Sequence, residues 1–143
     1  MYSSIQNRNI FVDANVIFDY LLERKFYTNN ALDFFDKAQK YSVSLHVCSY
    51  TFAIAYYHMR NKKFTHNEAL NRLEKLFTKI EHILSVDEKI IKQAMISGFK
   101  DFEDAIQFYC ASKVPKCEAI ITRNIKDFAL SNIPVETPQS FCF

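Results

Sequence analysis

The chain has 143 residues, a formal net charge of +2, 49% hydrophobic and 15% aromatic residues, one glycine and three prolines. That size and composition suit one folded domain spanning residues 1–143, and leave little for linkers or a disordered tail. The near-neutral charge permits nucleic-acid binding without arguing for it, and no apolar run approaches the roughly 18 residues of a membrane span.

The opening MYSSIQNRNIF lacks the apolar stretch of a signal peptide. Cys48, Cys110, Cys117 and Cys142 show no CxxC spacing. A reduced, cytoplasmic setting is expected, with Cys48 and Cys110 as small core residues. The histidines are scattered, and none pairs with a cysteine at zinc-ligand spacing.

In chain order, Ile10 to Asp13 reads as a short buried strand. A helix follows over roughly Asn15 to Glu23, with Val16, Ile17, Tyr20 and Leu21 as its apolar stripe. Asn29 or Asn30 opens a second helix carrying Ala31, Leu32, Phe35 and Ala38. Ser44 to Cys48 is a second strand, and the apolar stretch Tyr50 to Met59 a third helix. Asn67 to Ile80 is amphipathic, with Leu70, Leu73, Leu76, Phe77 and Ile80 on one side. Ile83 to Val86 is a third strand. Asp87 caps the next helix, which runs to about Ser97 and is stopped by Gly98. Asp101 to Ser112 is helical, Ala119 to Thr122 a fourth strand, Lys126 to Leu130 a short helix, and Pro134–Glu136 an edge strand. Short apolar strands alternating with helices predict an α/β fold: a three-layer α/β/α sandwich with a central, mostly parallel sheet.

Open parallel sheets place their sites beyond the carboxyl ends of the strands. Asp13 ends the first strand there, and Thr122, Arg123 and Asn124 end the fourth. Asp101 and Asp104, three apart, share a helix face near its N-terminus. Asp127 follows the fourth strand. If these segments converge, their carboxylates meet in one pocket, and a hard divalent cation is the usual compensation for such repulsion. Each acid also has an ordinary role open to it. Asp13 can cap the following helix, Asp101 with Asp104 can form a capping arrangement, and Asp127 can sit solvated at a helix start. Glu103 falls off the Asp101–Asp104 face and reads as solvated.

Three segments, FVDANVIFDYLL, DFEDAIQFYCAS and ITRNIKDF, stand in the order seen in the PIN-domain family. The chain resembles that family, the fold of the toxin nucleases of VapBC-type toxin–antitoxin systems, over nearly its whole length. The resemblance implies a ribonuclease that hydrolyses RNA phosphodiesters with Mg²⁺ or Mn²⁺. Asp13 and Asp104 would be direct metal ligands, with Asp127 and Asp101 supporting them or holding a second ion. Asn124 would meet the scissile phosphate, Asn15 brace the loop, and Thr122 hydrogen-bond within the pocket. An antitoxin protein is an implied partner, and a homodimer through helices of the first half is a further expectation. The chain departs from the family in one respect: no acid stands between Ser49 and Lys63, where a helix glutamate is usual. Tyr56, His58 or a water would fill that place. Arg123, Lys126, Arg60 and Lys62, with Arg8, Arg24, Lys25 and Lys63, are candidates to steer the RNA backbone, and Tyr27, Tyr56 and Tyr57 to stack on unpaired bases. A non-catalytic PIN-like domain that binds RNA or protein is the alternative.

Overall fold

Along β1 (Arg8–Val12) the side chains alternate, and that alternation divides the molecule: Ile10 and Val12 enter one apolar core and Phe11 the other. The computed structural model describes residues 8–143, so the reading of an N-terminus without a signal peptide falls largely on residues outside it. After β1 come α1 (Ala14–Leu21), α2 (Thr28–Lys40), β2 (Val43–Cys48), α3 (Tyr50–Asn61) and α4 (His66–Phe77). Then follow β3 (His82–Leu84), α5 (Glu88–Met95), α6 (Phe102–Ala111), β4 (Cys117–Ile121), a 3₁₀ turn over Ile125–Phe128, and β5 (Val135–Glu136).

The five strands form one sheet in the order β3-β2-β1-β4-β5, and every pairing is parallel. Phe11 stands opposite His46 on β2, and Val12 opposite Ile121 on β4. Helices cover both faces. The core holding Ile10, Val12, Leu45, Val47 and Ile121 takes its other walls from α1, α2, α3 and α4. The core holding Phe11, Cys48 and Ile120 takes its walls from α5, α6 and Phe128 of the 3₁₀ turn. This is the expected α/β/α sandwich.

Local chemistry sets the helix starts. Asp13 Oδ1 accepts from the Ala14 N–H at 2.8 Å, Asp87 Oδ1 from Ile90 at 2.9 Å, and Asp101 Oδ1 from Asp104 at 3.0 Å. Such side-chain caps are each worth about 1 kcal/mol. Thr65 and Glu68 cap α4 reciprocally, at 3.1 and 2.9 Å.

Two expectations need correction. Helix α5 ends at Met95, before Gly98, and Gly98 does not adopt a positive φ. A side chain there would meet Leu130 Cδ1 at 3.3 Å, so the glycine leaves room rather than stopping a helix. On α4, Leu76 is buried and Leu73 packs against the core, but Leu70 and Phe77 stay open to solvent. Among the described residues, no helix is long and apolar enough to cross a membrane.

Candidate functional site

The chain crosses from one side of β1 to the other between β3 and β4, so the crevice beyond β1 and β4 is the switch point of the sheet. Asp13 stands there, immediately after β1. Its N–H donates to Ile121 O at 2.9 Å, fastening it to the end of β4. Its carboxylate is 4% exposed and held by neutral donors, Ala14 N–H at Oδ1 and the Thr122 hydroxyl at Oδ2, 2.8 Å away. Thr122 Oγ1 in turn accepts from Asn15 Nδ2 at 3.2 Å and from the Asn124 N–H at 3.1 Å. With two donors pointing at it, that hydroxyl has its own hydrogen directed at Asp13. Asn15 Oδ1 accepts from the Arg123 N–H at 3.2 Å, so Asn15 braces the loop after β4 to α1.

Burial pushes the Asp13 carboxyl up to about 7; the bonds from Thr122 and Ala14 lower it less, and the charges of Glu103 and Asp127 raise it further. Asp104, half-buried in the first turn of α6, also rises to about 7, from burial and then the negative charges of Asp13, Asp101, Asp127 and Glu103. Strand β1, helix α6 and the turn after β4 thus bring their acids into one electrostatic neighbourhood. Asp101 spends Oδ1 on its helix cap, and Asp127 lies exposed in the 3₁₀ turn. Among the described residues, no three His, Cys, Asp or Glu side chains already stand grouped as ligands for an ion.

A cavity of about 360 Å³ opens beside these acids. Asp101, Asp104 and Asp127 line it, with Gly98, Phe99, Ala129 and Leu130 as an apolar wall and Lys100 and Lys126 as its cations. Lys100 was not among the sequence candidates; its place between Gly98 and the Asp101 cap is the signal that could have found it.

The other candidate cations lie differently. Arg123 Nε donates to Asp19 Oδ2 at 2.8 Å, and its guanidinium stacks over Tyr27 at 4.0 Å. Arg24 reaches the same carboxylate at 3.4 Å, and Arg8 pairs with Glu118. Arg60 donates to the Tyr56 hydroxyl at 2.9 Å. Arg60 and Lys62 sit at the far end of α3, about 15 Å along the helix from Tyr50.

The place left without an acid on α3 is filled neither by Tyr56 nor by His58. Tyr56 bonds His66 Nδ1 at 2.9 Å, and the His58 ring packs on Phe18 at 4.7 Å. Tyr50, at the start of α3, has its phenol pushed up by burial and then by the charge of Glu103. Glu103 is exposed, as the sequence reading has it, and its charge adds to the rise of Asp13 and Asp104.

Comparison with known proteins places the fold. Residues 9–126 match the family model described as PIN domain. Solved structures of similar fold include Mycobacterium tuberculosis VapC20, a Sarcin-Ricin loop cleaving toxin, at 14% identity and a TM-score of 0.59 over 78% of this chain and 86% of that one. VapBC2 from Rickettsia felis, bound to a DNA fragment from its promoter, gives 16% identity and a TM-score of 0.58 over 90% and 98%. PAE2754 from Pyrobaculum aerophilum gives 16% identity and a TM-score of 0.60 over 93% and 85%. No curated protein sequence matches this chain. At these identities the structures speak for the fold, while the family model spans most of the chain from β1 into the turn that carries Asp127. The chain belongs to the PIN domain family.

Proposed function

We propose that this chain is an endoribonuclease dependent on Mg²⁺ or Mn²⁺, and the toxin of a toxin–antitoxin pair. One observation carries the reading: Asp13 and Asp104, from distant segments, stand at the switch point with mutually repelling charges, and Asp13 is held only by neutral donors. Such a centre gains from a cation. Its carboxylate oxygens are the donors that hard divalent ions take.

Asp13 and Asp104 would hold the ion, with Asp127 and Asp101 beside them. Bound there, a hard divalent ion polarises a phosphate and lowers the pKa of water. The chain's own residues prepare the rest. Thr122 and Ala14 fix both oxygens of Asp13 and leave each a further lone pair. Asn124, exposed beside Thr122, has an amide free for a non-bridging phosphate oxygen. Lys100 and Lys126 draw an RNA backbone toward a mouth that carboxylates alone would repel. In-line attack by water at phosphorus would leave a 5′-phosphate and a 3′-hydroxyl.

An antitoxin would cover this same mouth. A homodimer would use α3 and α4, which leave Tyr57, Leu70 and Phe77 open to solvent; sedimentation at high micromolar concentration tests it, and a monomer there removes it. The direct test of the enzyme is single-stranded RNA with Mg²⁺ or Mn²⁺. Cleavage is expected, and is expected to vanish in Asp13→Ala and Asp104→Ala; cleavage undiminished in both variants would end the assignment.

The absence of an acid on α3 favours a second reading, a PIN-like domain that binds RNA or protein without cutting. Calorimetric titration with Mn²⁺ separates the two: no binding at millimolar metal, together with tight RNA binding, selects the second.

A further inference from the structure

The segment that follows β4 borders two cavities. Lys126 and Asp127 line the one beside the acids. Arg123 lines a second, of about 280 Å³, with Asp19, Tyr27, Asn30 and segment 137–139 beyond β5. Consecutive residues thus reach both regions: Thr122 donates to Asp13 at 2.8 Å, and Arg123 Nε donates to Asp19 at 2.8 Å. The clamp on Asp19 uses Nε and Nη2 of Arg123. Nη1 has no partner among the described residues, so two N–H groups of a fixed guanidinium remain unmet. The clamp is also unbalanced in charge. Arg123 and Arg24 both face the single carboxylate of Asp19, which leaves the cavity net positive.

The rest of the lining suits a nucleobase. Tyr27 is 41% exposed although the Arg123 guanidinium lies 4.0 Å from its ring centroid, so aromatic surface stays open. Unpaired bases stack on aromatic rings and on guanidinium planes. Asn30 turns its Nδ2 back to Phe26 O at 3.2 Å, which leaves Oδ1 as an acceptor in the same cavity as the Arg123 donors. Gln139 adds an exposed amide, with a donor and an acceptor. A bare anion would use the guanidinium alone, and the Asn30 oxygen would repel it. A base edge offers donors and acceptors together. Tying Asp19 explains neither the open ring nor the unmet donors. The volume is near the lower end for ligand pockets, about 300 Å³, which suits a single nucleotide. Resting on the reading of this chain as a ribonuclease, we infer that this second cavity takes one unpaired base of the RNA, from a nucleotide close to the scissile phosphate. Tyr27 is its stacking surface, and Arg123, Asn30 and Gln139 meet its edge. The acid centre does the cutting, and this cavity selects where.

The test measures binding without cleavage. The full chain, in EDTA at low salt, is titrated into labelled hexaribonucleotides of adenine, cytosine or uracil, and into an abasic hexamer, and anisotropy is read. The base-bearing hexamers are expected to bind more tightly than the abasic one. Tyr27→Leu is expected to raise their Kd at least about fivefold, the lower end of what one stacked base is worth. The abasic hexamer is expected to stay within about twofold. Gln139→Ala, at an exposed position where the fold is retained, and Asn30→Ala are expected to change the order of preference among the three bases. A fold defect would not reorder them, and thermal melts check each variant. A parent that binds abasic and base-bearing hexamers equally, or binds neither, would overturn the inference. So would a Tyr27→Leu protein that loses both kinds alike. An unchanged base preference in both Gln139→Ala and Asn30→Ala would overturn the edge contacts. The nuclease reading is tested apart, by cleavage with Mn²⁺: a parent whose hexamer binding depends on Tyr27 but which cuts no RNA would end that reading and keep the base pocket.

Discussion

Asp13 and Asp19 lie on the same strand–helix unit, 4% and 3% exposed, and their surroundings are opposite. Asp19 faces two guanidinium groups, Arg123 at 2.8 Å and Arg24 at 3.4 Å. It ties the loop after β4 to the end of α1, with Arg123 stacked over Tyr27 as a lid. Asp13 has neutral donors on both oxygens and further acids as its charged neighbours. One buried aspartate is compensated by the protein itself. The other has no guanidinium or ammonium group against it, and its carboxyl is pushed up to about 7. Burial alone therefore does not set the state of a buried acid; the sign of the charges around it does.

The contrast can be broken most directly by activity. Asp13→Asn and Asp104→Asn are each expected to lower RNA cleavage at least about 10³-fold, some 4 kcal/mol of barrier. Asp19→Asn should change the specific activity of the folded fraction only a few-fold. Equal losses in all three would erase the distinction.

Stability should move the other way. Asp19→Asn leaves Arg123 and Arg24 facing an uncharged group, and should destabilise the fold by about 3 kcal/mol in urea melts. Asp13→Asn should instead stabilise the metal-free protein at pH 8. The sign follows from linkage: the Asp13 carboxyl titrates near 7 in the folded chain and near 3.8 unfolded. Between those values the folded state holds a proton that the unfolded state has lost, so stability falls as pH rises through that window. Thermal melts in EDTA should lose roughly 3–4 kcal/mol from pH 4 to pH 8 through this group. Millimolar Mn²⁺ should restore it at pH 8, and Asp13→Asn should flatten the profile. A smaller effect is expected at Thr122→Val, which removes one donor from Asp13 and costs about 1–2 kcal/mol of stability. Smallest is Arg123→Lys, which keeps the charge but loses the fork and the stacking, for about 1 kcal/mol or less.

Much of this was legible in the sequence because it rests on local pattern. Apolar runs ending in Asp13 and Thr122 gave strands and their carboxyl ends, and Asp87 and Asp101 were legible as caps from the residues that follow them. What was not legible depends on pairings between distant segments. Nothing near Arg123 announces Asp19, 104 positions away, so it read as a free cation. Leu70 and Phe77 follow helical spacing, yet α4 turns a wider apolar arc than its neighbours cover, and both stay in water. The Thr65–Glu68 capping box is a local pattern, a threonine three residues before a glutamate at the start of α4.

The sheet order has a consequence for how such a protein is made. Asp13 and the Thr122 hydroxyl that fixes it are separated by 109 positions, and their strands are immediate neighbours. Synthesis at about 5–20 residues per second leaves a gap of roughly 5–20 s between the two. The first half of the chain can begin to pack on the ribosome, but its central strand lacks one flank and its buried acid lacks an anchor until β4 and Thr122 have emerged. The pocket is thus completed late in synthesis, and a product truncated before Thr122 lacks the hydroxyl that holds Asp13.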